Sequence, residues 1–99
     1  MKGDFTMKYN LEAMKAVINY VEENVGGFSK DGKRLDRLAS QVSSAVAKSL
    51  QLSKEDADMA VQRCIDEGFL NAVGNMFVST KIFDITLKGY YWLKSESKE

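Results

Sequence analysis

Apolar side chains recur at three- and four-residue steps after Asn10, which is the spacing of one buried face of an α-helix. Asn10 is placed to cap this helix, because its side chain can accept a hydrogen bond from a backbone N–H of the first turn. Gly26 and Gly27 end the pattern, since glycine readily adopts the left-handed conformation that closes a helix. The first predicted helix therefore lies between Asn10 and this glycine pair, with an apolar face of Leu11, Met14, Val17, Ile18, Val21 and Val25.

Two more helices are predicted between the glycine pair and Gly68. The second runs from about residue 33 to residue 50, after a loop over 28–33, and its apolar side comprises Leu35, Leu38, Val42, Ala45, Val46 and Ser49. The third begins at Ser53, because a hydroxyl is a good N-cap and the acidic residues that follow suit the positive end of the helix dipole. This helix continues through Asp66 and stops at Gly68, with a buried side of Ala57, Val61, Cys64 and Ile65.

The periodicity changes from helical to strand-like after Gly68. Two apolar runs, 69–73 and 76–80, flank Gly74-Asn75, a dipeptide that suits the positive φ angles of a tight hairpin turn. The run over 81–85 extends or repeats the second strand. The sequence therefore predicts a β-hairpin with a two-residue turn.

A short final helix is predicted to begin at Thr86 and to end near Lys94. Its aromatic run, Tyr90, Tyr91 and Trp92, is expected to close the core together with Leu93. Because consecutive helical positions are about 100° apart, at least one of the three rings must face outward. Stacking of these rings on single-stranded bases is the alternative interpretation.

The order helix, helix, helix, hairpin, helix predicts an α+β fold. Three helices would bury one face of the hairpin and the last helix would cover the rest, which is the architecture of a winged helix-turn-helix domain with a β-hairpin wing and a short C-terminal helix. The predicted domain spans 10–94, with a flexible N-terminal arm over 1–9 and a polar C-terminal tail over 95–99.

Composition argues against catalysis. The 99 residues include no histidine, which excludes Ser-His-Asp and Cys-His mechanisms and every metal site that uses histidine. A single cysteine, Cys64, excludes an intramolecular disulfide and a cluster of thiolates, and it is expected to be a buried, inert thiol. No phosphate-binding glycine loop or recognisable acid/base pair of carboxylates is present. We therefore expect a protein that is not an enzyme and needs no cofactor.

The chain shows no secretory signal and no apolar run of the roughly 18 residues that a membrane span requires. The expected location is the cytoplasm, without a membrane partner. Fourteen Lys and Arg balance fourteen Asp and Glu, so binding to nucleic acid would depend on how the charges are distributed over the surface rather than on their sum.

Two segments resemble those of winged-helix domains. Residues 64–70 (CIDEGFL) resemble the helix, acidic pair, glycine and apolar pair that follow the third helix, and residues 85–93 (ITLKGYYWL) resemble the Leu/Ile-Thr-x-x-Gly-x-x-x-Leu pattern that begins the last one. Over residues 53–94 the chain is similar to small winged-helix proteins of bacterial and prophage genomes, including the YjcQ-type family. The resemblance implies binding to double-stranded DNA and a role in transcription regulation, with the third helix in the major groove and the hairpin as a wing.

The charge of the third helix departs from that plan. On a helical wheel seven positions face outward, and four of them are acidic whereas one is basic: Glu55, Asp56, Met59, Gln62, Arg63, Asp66 and Glu67. One carboxylate roughly 8 Å from a DNA phosphate costs about 0.5 kcal/mol even at the dielectric constant of water. This face is therefore not an ordinary DNA-reading surface.

The second helix has the opposite character. Three basic and two hydroxyl side chains form a predicted outer stripe about 22 Å long, which could follow a phosphate strand: Lys33, Arg37, Ser40, Ser44 and Lys48. Arg63 and Lys81 would add contacts, and a homodimer would supply the basic area that a monomer lacks. An ordinary solvated helix face is the alternative interpretation of the stripe.

A competing hypothesis comes from the acidic face. Met59 lies at its centre next to Gln62, where it could be an apolar anchor for a protein partner. A solitary surface methionine is the alternative interpretation. On this hypothesis the chain is an adaptor with a winged-helix shape and no nucleic-acid role, and its partner is a basic protein or a second copy.

Overall fold

The computed structural model describes residues 10–26, 30–32 and 36–97, so the predicted arm over 1–9 lies outside the described residues. The described part contains four helices and one three-stranded antiparallel sheet, and the predicted α+β class is confirmed. In chain order the elements are α1 (Leu11–Asn24), β1 (Arg37–Leu38), α2 (Ala39–Leu50), α3 (Lys54–Asp66), β2 (Leu70–Val73), β3 (Lys81–Ile85) and α4 (Leu87–Ser97). None of the helices in these ranges is long and apolar enough to cross a bilayer.

Side-chain caps fix the beginnings of three helices, as the sequence predicts. The Asn10 side chain accepts a hydrogen bond from the Ala13 backbone N–H at 3.0 Å, and Ser53 Oγ accepts one from the Asp56 N–H at 3.1 Å. Thr86 caps α4 in the same way. Each bond satisfies an N–H that has no partner within its own helix, which stabilises the helix end by about 1 kcal/mol.

The core lies between α1, α2, α3 and the inner face of the sheet. The buried sides of α1 and α3 are largely those predicted, although Leu11 is exposed and Ile65 is only partly buried. β3 is the central strand, between β1 and β2, and its Ile82 is completely buried among the helices. The largest apolar side chains of the core are Met14, Ile18, Val21, Val42, Val46, Val61 and Ile82.

The predicted beginning of the second helix is wrong. Residues 33–35 lie outside the described residues, but Arg37 and Leu38 form strand β1 and pair with β3, so α2 begins only at Ala39. The Ala39 N–H donates a hydrogen bond to the Thr80 carbonyl at 2.8 Å, at the point where the strand becomes the helix. Main-chain pairing with a distant strand therefore takes precedence over the local helical periodicity.

The predicted buried side of α2 is also wrong in one serine, because it includes Ser49 and omits Ser43. Ser49 is exposed rather than inward-facing, whereas Ser43 is completely buried. The Ser43 hydroxyl donates to Asp58 Oδ1 at 2.5 Å, and the same carboxylate oxygen lies 3.1 Å from Lys54 Nζ. A polar contact therefore joins α2 to α3 inside an otherwise apolar helix pair.

The predicted two-residue hairpin turn is wrong as well. β2 pairs with β3, not with residues 76–80, and residues 74–80 form a longer connection that contains a 3-10 turn over Phe77–Ser79. The Thr80 hydroxyl donates to the Met76 carbonyl at 2.7 Å, which folds this stretch onto itself. A Cβ on Gly74 would lie 2.5 Å from Thr80 Cα, so only glycine permits this close approach.

A bulge interrupts the pairing of β2 with β3. Asn71 is paired with Asp84, but the next residue of β2, Ala72, is paired with Ile82. β3 therefore carries one residue more than β2 over this stretch, which is the defining property of a β-bulge.

The inner side of α4 closes the core where β2 begins. Trp92 stacks on Phe69 with ring centroids 4.8 Å apart, and Leu93 is buried. The backbone of α4 passes so close to the strand that a Cβ on Gly89 would clash with the Phe69 carbonyl oxygen. The helix continues past the predicted end at Lys94 to Ser97, so residues 95–97 of the predicted tail are helical.

We expect Gly89→Ala to destabilise the protein. In an exposed helix this substitution is favourable by up to about 1 kcal/mol, but here the added methyl group must push α4 away from β2, which costs about 1–3 kcal/mol. Urea unfolding followed by circular dichroism measures the change. Ser95→Ala, at an exposed position of the same helix, is the control and should stabilise slightly. A Gly89→Ala protein as stable as the unmodified chain would contradict the close packing described here.

Cys64 is buried, as the sequence predicts, and its Sγ lies 3.7 Å from the Met14 carbonyl oxygen. Burial raises the pKa of the Cys64 thiol to about 12, because the apolar core disfavours the thiolate.

The folded protein should therefore react very slowly with a thiol reagent at about pH 8, where only about one thiol in ten thousand is ionised and the sulfur is shielded. Concentrated guanidinium should restore the rate of an ordinary exposed cysteine. The release of the chromophore of a disulfide reagent measures both rates. Rapid reaction of the folded chain would show that the thiol is accessible.

Candidate interaction surface

The outer face of α3 is exposed and acidic, as predicted. Its inner side packs into the core through Ala57 and Val61, which turns the opposite side to solvent. Met59 is 53% exposed at the centre of this side. The exposed polar side chains of the same face are Glu55, Asp56, Gln62 and Asp66, whereas Arg63 and Glu67 are half-buried.

Met59 is not a solitary surface methionine, because the 74–80 connection brings further apolar side chains beside it. Met59, Gln62, Phe77 and Val78 line an open depression of about 390 Å³ together with Asp58. Gln62 and Phe77 also line the next groove along the surface, together with Met76. Met76 and Val78 are 65% and 68% exposed. We define the α3 patch as Met59, Gln62, Met76, Phe77 and Val78.

Hydrogen bonds hold the apolar part of the α3 patch in place. The Met76 carbonyl accepts hydrogen bonds from the Ser79 backbone N–H at 3.0 Å and from the Thr80 hydroxyl at 2.7 Å. The Thr80 N–H donates to the Phe77 carbonyl at 3.2 Å, and Phe77 itself packs partly against the core. The backbone beneath the exposed side chains is therefore fixed, and a partner would not need to order it.

Carboxylates border the α3 patch on the side that α3 forms. Glu55, Asp56 and Asp66 are exposed on the same helix face, and Asp66 Oδ1 accepts a hydrogen bond from Gln62 Nε2 at 2.9 Å. Lys54 is the basic residue that begins α3, and its Nζ lies 3.1 Å from Asp58 Oδ1, so its charge is directed at that carboxylate. The border of the α3 patch is consequently acidic.

The structure does not assemble the predicted DNA-contacting set on one helix. Lys33 lies outside the described residues, and Arg37 belongs to β1, where its guanidinium donates to the neighbouring Asp36 carbonyl at 3.1 Å. Of the three predicted contacts on α2, Ser40 is half-buried, and Ser44 and Lys48 are exposed. The part of the stripe that α2 carries, from residue 40 to residue 48, is about 12 Å long instead of about 22 Å.

The two remaining predicted DNA contacts lie on α3 and β3 rather than on α2. Arg63 is half-buried on α3, and Lys81 is exposed at the beginning of β3. Arg37 is paired with Ile82, whereas Lys81 is paired with Leu38. Because paired residues share a face of the sheet, Arg37 and Lys81 project from opposite faces. Arg37 and Lys81 therefore do not share one face of the sheet.

A second exposed surface lies on α4, where two of the three aromatic side chains predicted for the core face solvent. Leu87 and Tyr91 are 68% and 62% exposed, one helical turn apart. The Tyr90 ring packs edge-on against the Tyr91 ring, with ring centroids 5.9 Å apart. Lys94 Nζ lies 5.2 Å from the centre of the Tyr90 ring. Lys88 is also exposed on this helix. We define the α4 patch as Leu87, Lys88, Tyr90, Tyr91 and Lys94.

The described surface thus offers an apolar patch with acidic neighbours on α3, an aromatic patch with lysines on α4, and a short polar stripe on α2. These surfaces are the basis on which a function can be proposed. No protein-family model, no curated protein and no solved structure matches this chain.

Proposed function

We propose that this chain is a small module of winged-helix shape that binds another protein through the α3 patch. The observation that carries the proposal is the joint exposure of Met59, Met76 and Val78 on a backbone fixed by hydrogen bonds. A cluster of large apolar side chains in water is unfavourable unless a partner covers it, so such patches are typical of interaction sites.

The order of the elements supports the winged-helix part of the proposal. Three helices, a short strand between the first two and a pair of strands after the third are compatible with a winged-helix layout, in which the 74–80 connection takes the place of the wing. In that layout α3 would be the helix that enters the major groove. Its exposed face carries three carboxylates, which phosphate groups repel, so a protein partner suits this face better than DNA does.

The chemistry of the α3 patch also suits a protein ligand. Methionine side chains are flexible and polarisable, and they adapt to the shape of an apolar partner. The carboxylates at the border select a partner of positive charge and favour its approach. A basic, partly apolar surface is therefore the expected ligand.

A photoreactive benzophenone side chain in place of Met59 tests this proposal. Irradiation of cells of the native host that produce this variant should give covalent adducts with protein, because the reactive group would lie inside the proposed interface. Gel electrophoresis and mass spectrometry detect the adducts. The same group in place of Lys48, which is exposed on α2, is the matched control and should give few adducts. Equal yields from both positions, or adducts with nucleic acid only, would contradict the proposal.

Binding of double-stranded DNA is the second candidate function, and the exposed Ser44 and Lys48 on α2 favour it. In this case Lys33, Arg37 and Lys48 would contact phosphates, and the role would be regulatory. Lysine and arginine contacts of this kind depend strongly on salt.

Fluorescence anisotropy with a mixed-sequence duplex at low salt tests the second candidate. If α2 binds phosphate, Lys48→Glu should weaken binding by about tenfold, because an attraction becomes a repulsion. The combined Lys33→Glu and Arg37→Glu variant should weaken it further. Lys94→Glu, on the distant α4 patch, has the same change of charge and serves as the control. Absence of binding, or equal loss in every variant, would remove this candidate.

A further inference from the structure

We infer that the partner is a second copy of this chain, whose α4 patch covers the α3 patch in a head-to-tail arrangement. This inference rests on the proposed function, since it names the ligand of the same surface. It is carried by two exposed apolar patches on the same chain: the α3 patch has carboxylates at its border, and the α4 patch has lysines.

The two patches are complementary in chemistry. The α3 patch presents methionine and valine side chains with Glu55, Asp56 and Asp66 at its border. The α4 patch presents Leu87 and two tyrosine rings together with two lysines. Methionine sulfur packs favourably against aromatic rings, and lysines that meet carboxylates at the edge of an apolar contact add attraction and fix orientation.

Charge also determines which patches can meet. Two α3 patches face to face would bring carboxylates together, and two α4 patches would bring lysines together, so both symmetric arrangements are disfavoured. The α3 patch of one copy against the α4 patch of another has the favourable sign. The whole chain has no net charge to oppose association, because its fourteen basic residues equal its fourteen acidic residues.

Both patches can be occupied at the same time. The 74–80 connection packs against α2, whereas α4 packs against α1 and β3, so the patches belong to different parts of the molecule. Both remain exposed in the single chain, which means that neither covers the other. Repetition of the same contact gives a closed ring or an open filament, as expected for heterologous association.

Sedimentation of the full chain over a wide concentration range tests the inference. We expect species larger than a monomer at low salt. The apparent dissociation constant should rise by about tenfold between about 0.05 M and about 0.5 M salt, because salt screens the charges at the border. A monomer at every concentration and salt level would overturn the inference.

Two single-site variants test the head-to-tail arrangement. Met59→Asp disrupts only the α3 patch and Tyr91→Asp disrupts only the α4 patch, so each variant alone should be a monomer. In a mixture the intact α4 patch of the first should bind the intact α3 patch of the second, and a dimer of one copy of each should form. Ser44→Asp is the control for the added charge and should assemble as the unmodified chain does. Circular dichroism verifies that every variant is folded.

A mixture that stays monomeric, or a variant that still assembles alone, would overturn the head-to-tail contact. Lys94→Glu offers an independent measurement, and it should weaken assembly by about tenfold and remove most of the salt dependence. The photoreactive group at position 59 separates the two proposals. Adducts with a different protein, together with a monomeric chain, would leave the proposed function intact and overturn only this inference.

Discussion

The pairing of β3 on both of its edges determines the shape of the molecule and of its candidate interface. On one edge, β3 holds Arg37 and Leu38 in a strand, so the second helix begins only at Ala39. On the other edge it binds β2, and residues 74–80 must therefore cross from one strand to the next. The exposure of Met76 and Val78 is a direct result of this crossing. The α3 patch is thus built by strand register as much as by the helix that carries Met59.

The features that the sequence predicts well are those with local causes. The caps at Asn10, Ser53 and Thr86 each depend on a side chain and a backbone N–H only three residues apart, and all three are present. The features that it misses depend on distant partners. Strand β1 has two residues, too few for a periodic pattern, and it exists because residues 81 and 82 pair with it. Ser43 shares the helical spacing of the buried Ala39, Val42 and Val46, but a serine carries no apolar signal, and its partner Asp58 lies 15 residues away in the sequence.

The predictions of the candidate sites also differ in success according to whether a feature has a local cause or depends on distant residues. The outward position of Met59 follows from helical geometry alone, and it is correct. The sequence predicts a strand for its apolar neighbours, and the alternation of a strand would bury half of them. The 3-10 turn exposes Met76 and Val78 instead. The predicted basic stripe does not lie on one helix, because Arg37 belongs to β1 whereas Lys48 belongs to α2. Helical geometry predicts that at least one aromatic ring of α4 faces outward, and the structure exposes two of them, Tyr90 and Tyr91.

The bulge between β2 and β3 has a consequence for how apolar residues are spaced. Leu70 and Ala72 point to the same face of β2, and their partners Ile85 and Ile82 therefore share one face of β3 although three positions separate them. In a regular strand an odd separation would place one isoleucine in the interior and the other in water. Because of the extra residue, two apolar side chains with a spacing of three, which is typical of a helix, face the same side of a strand. Deleting or inserting one residue in this segment would therefore disturb the core as much as replacing one of its side chains.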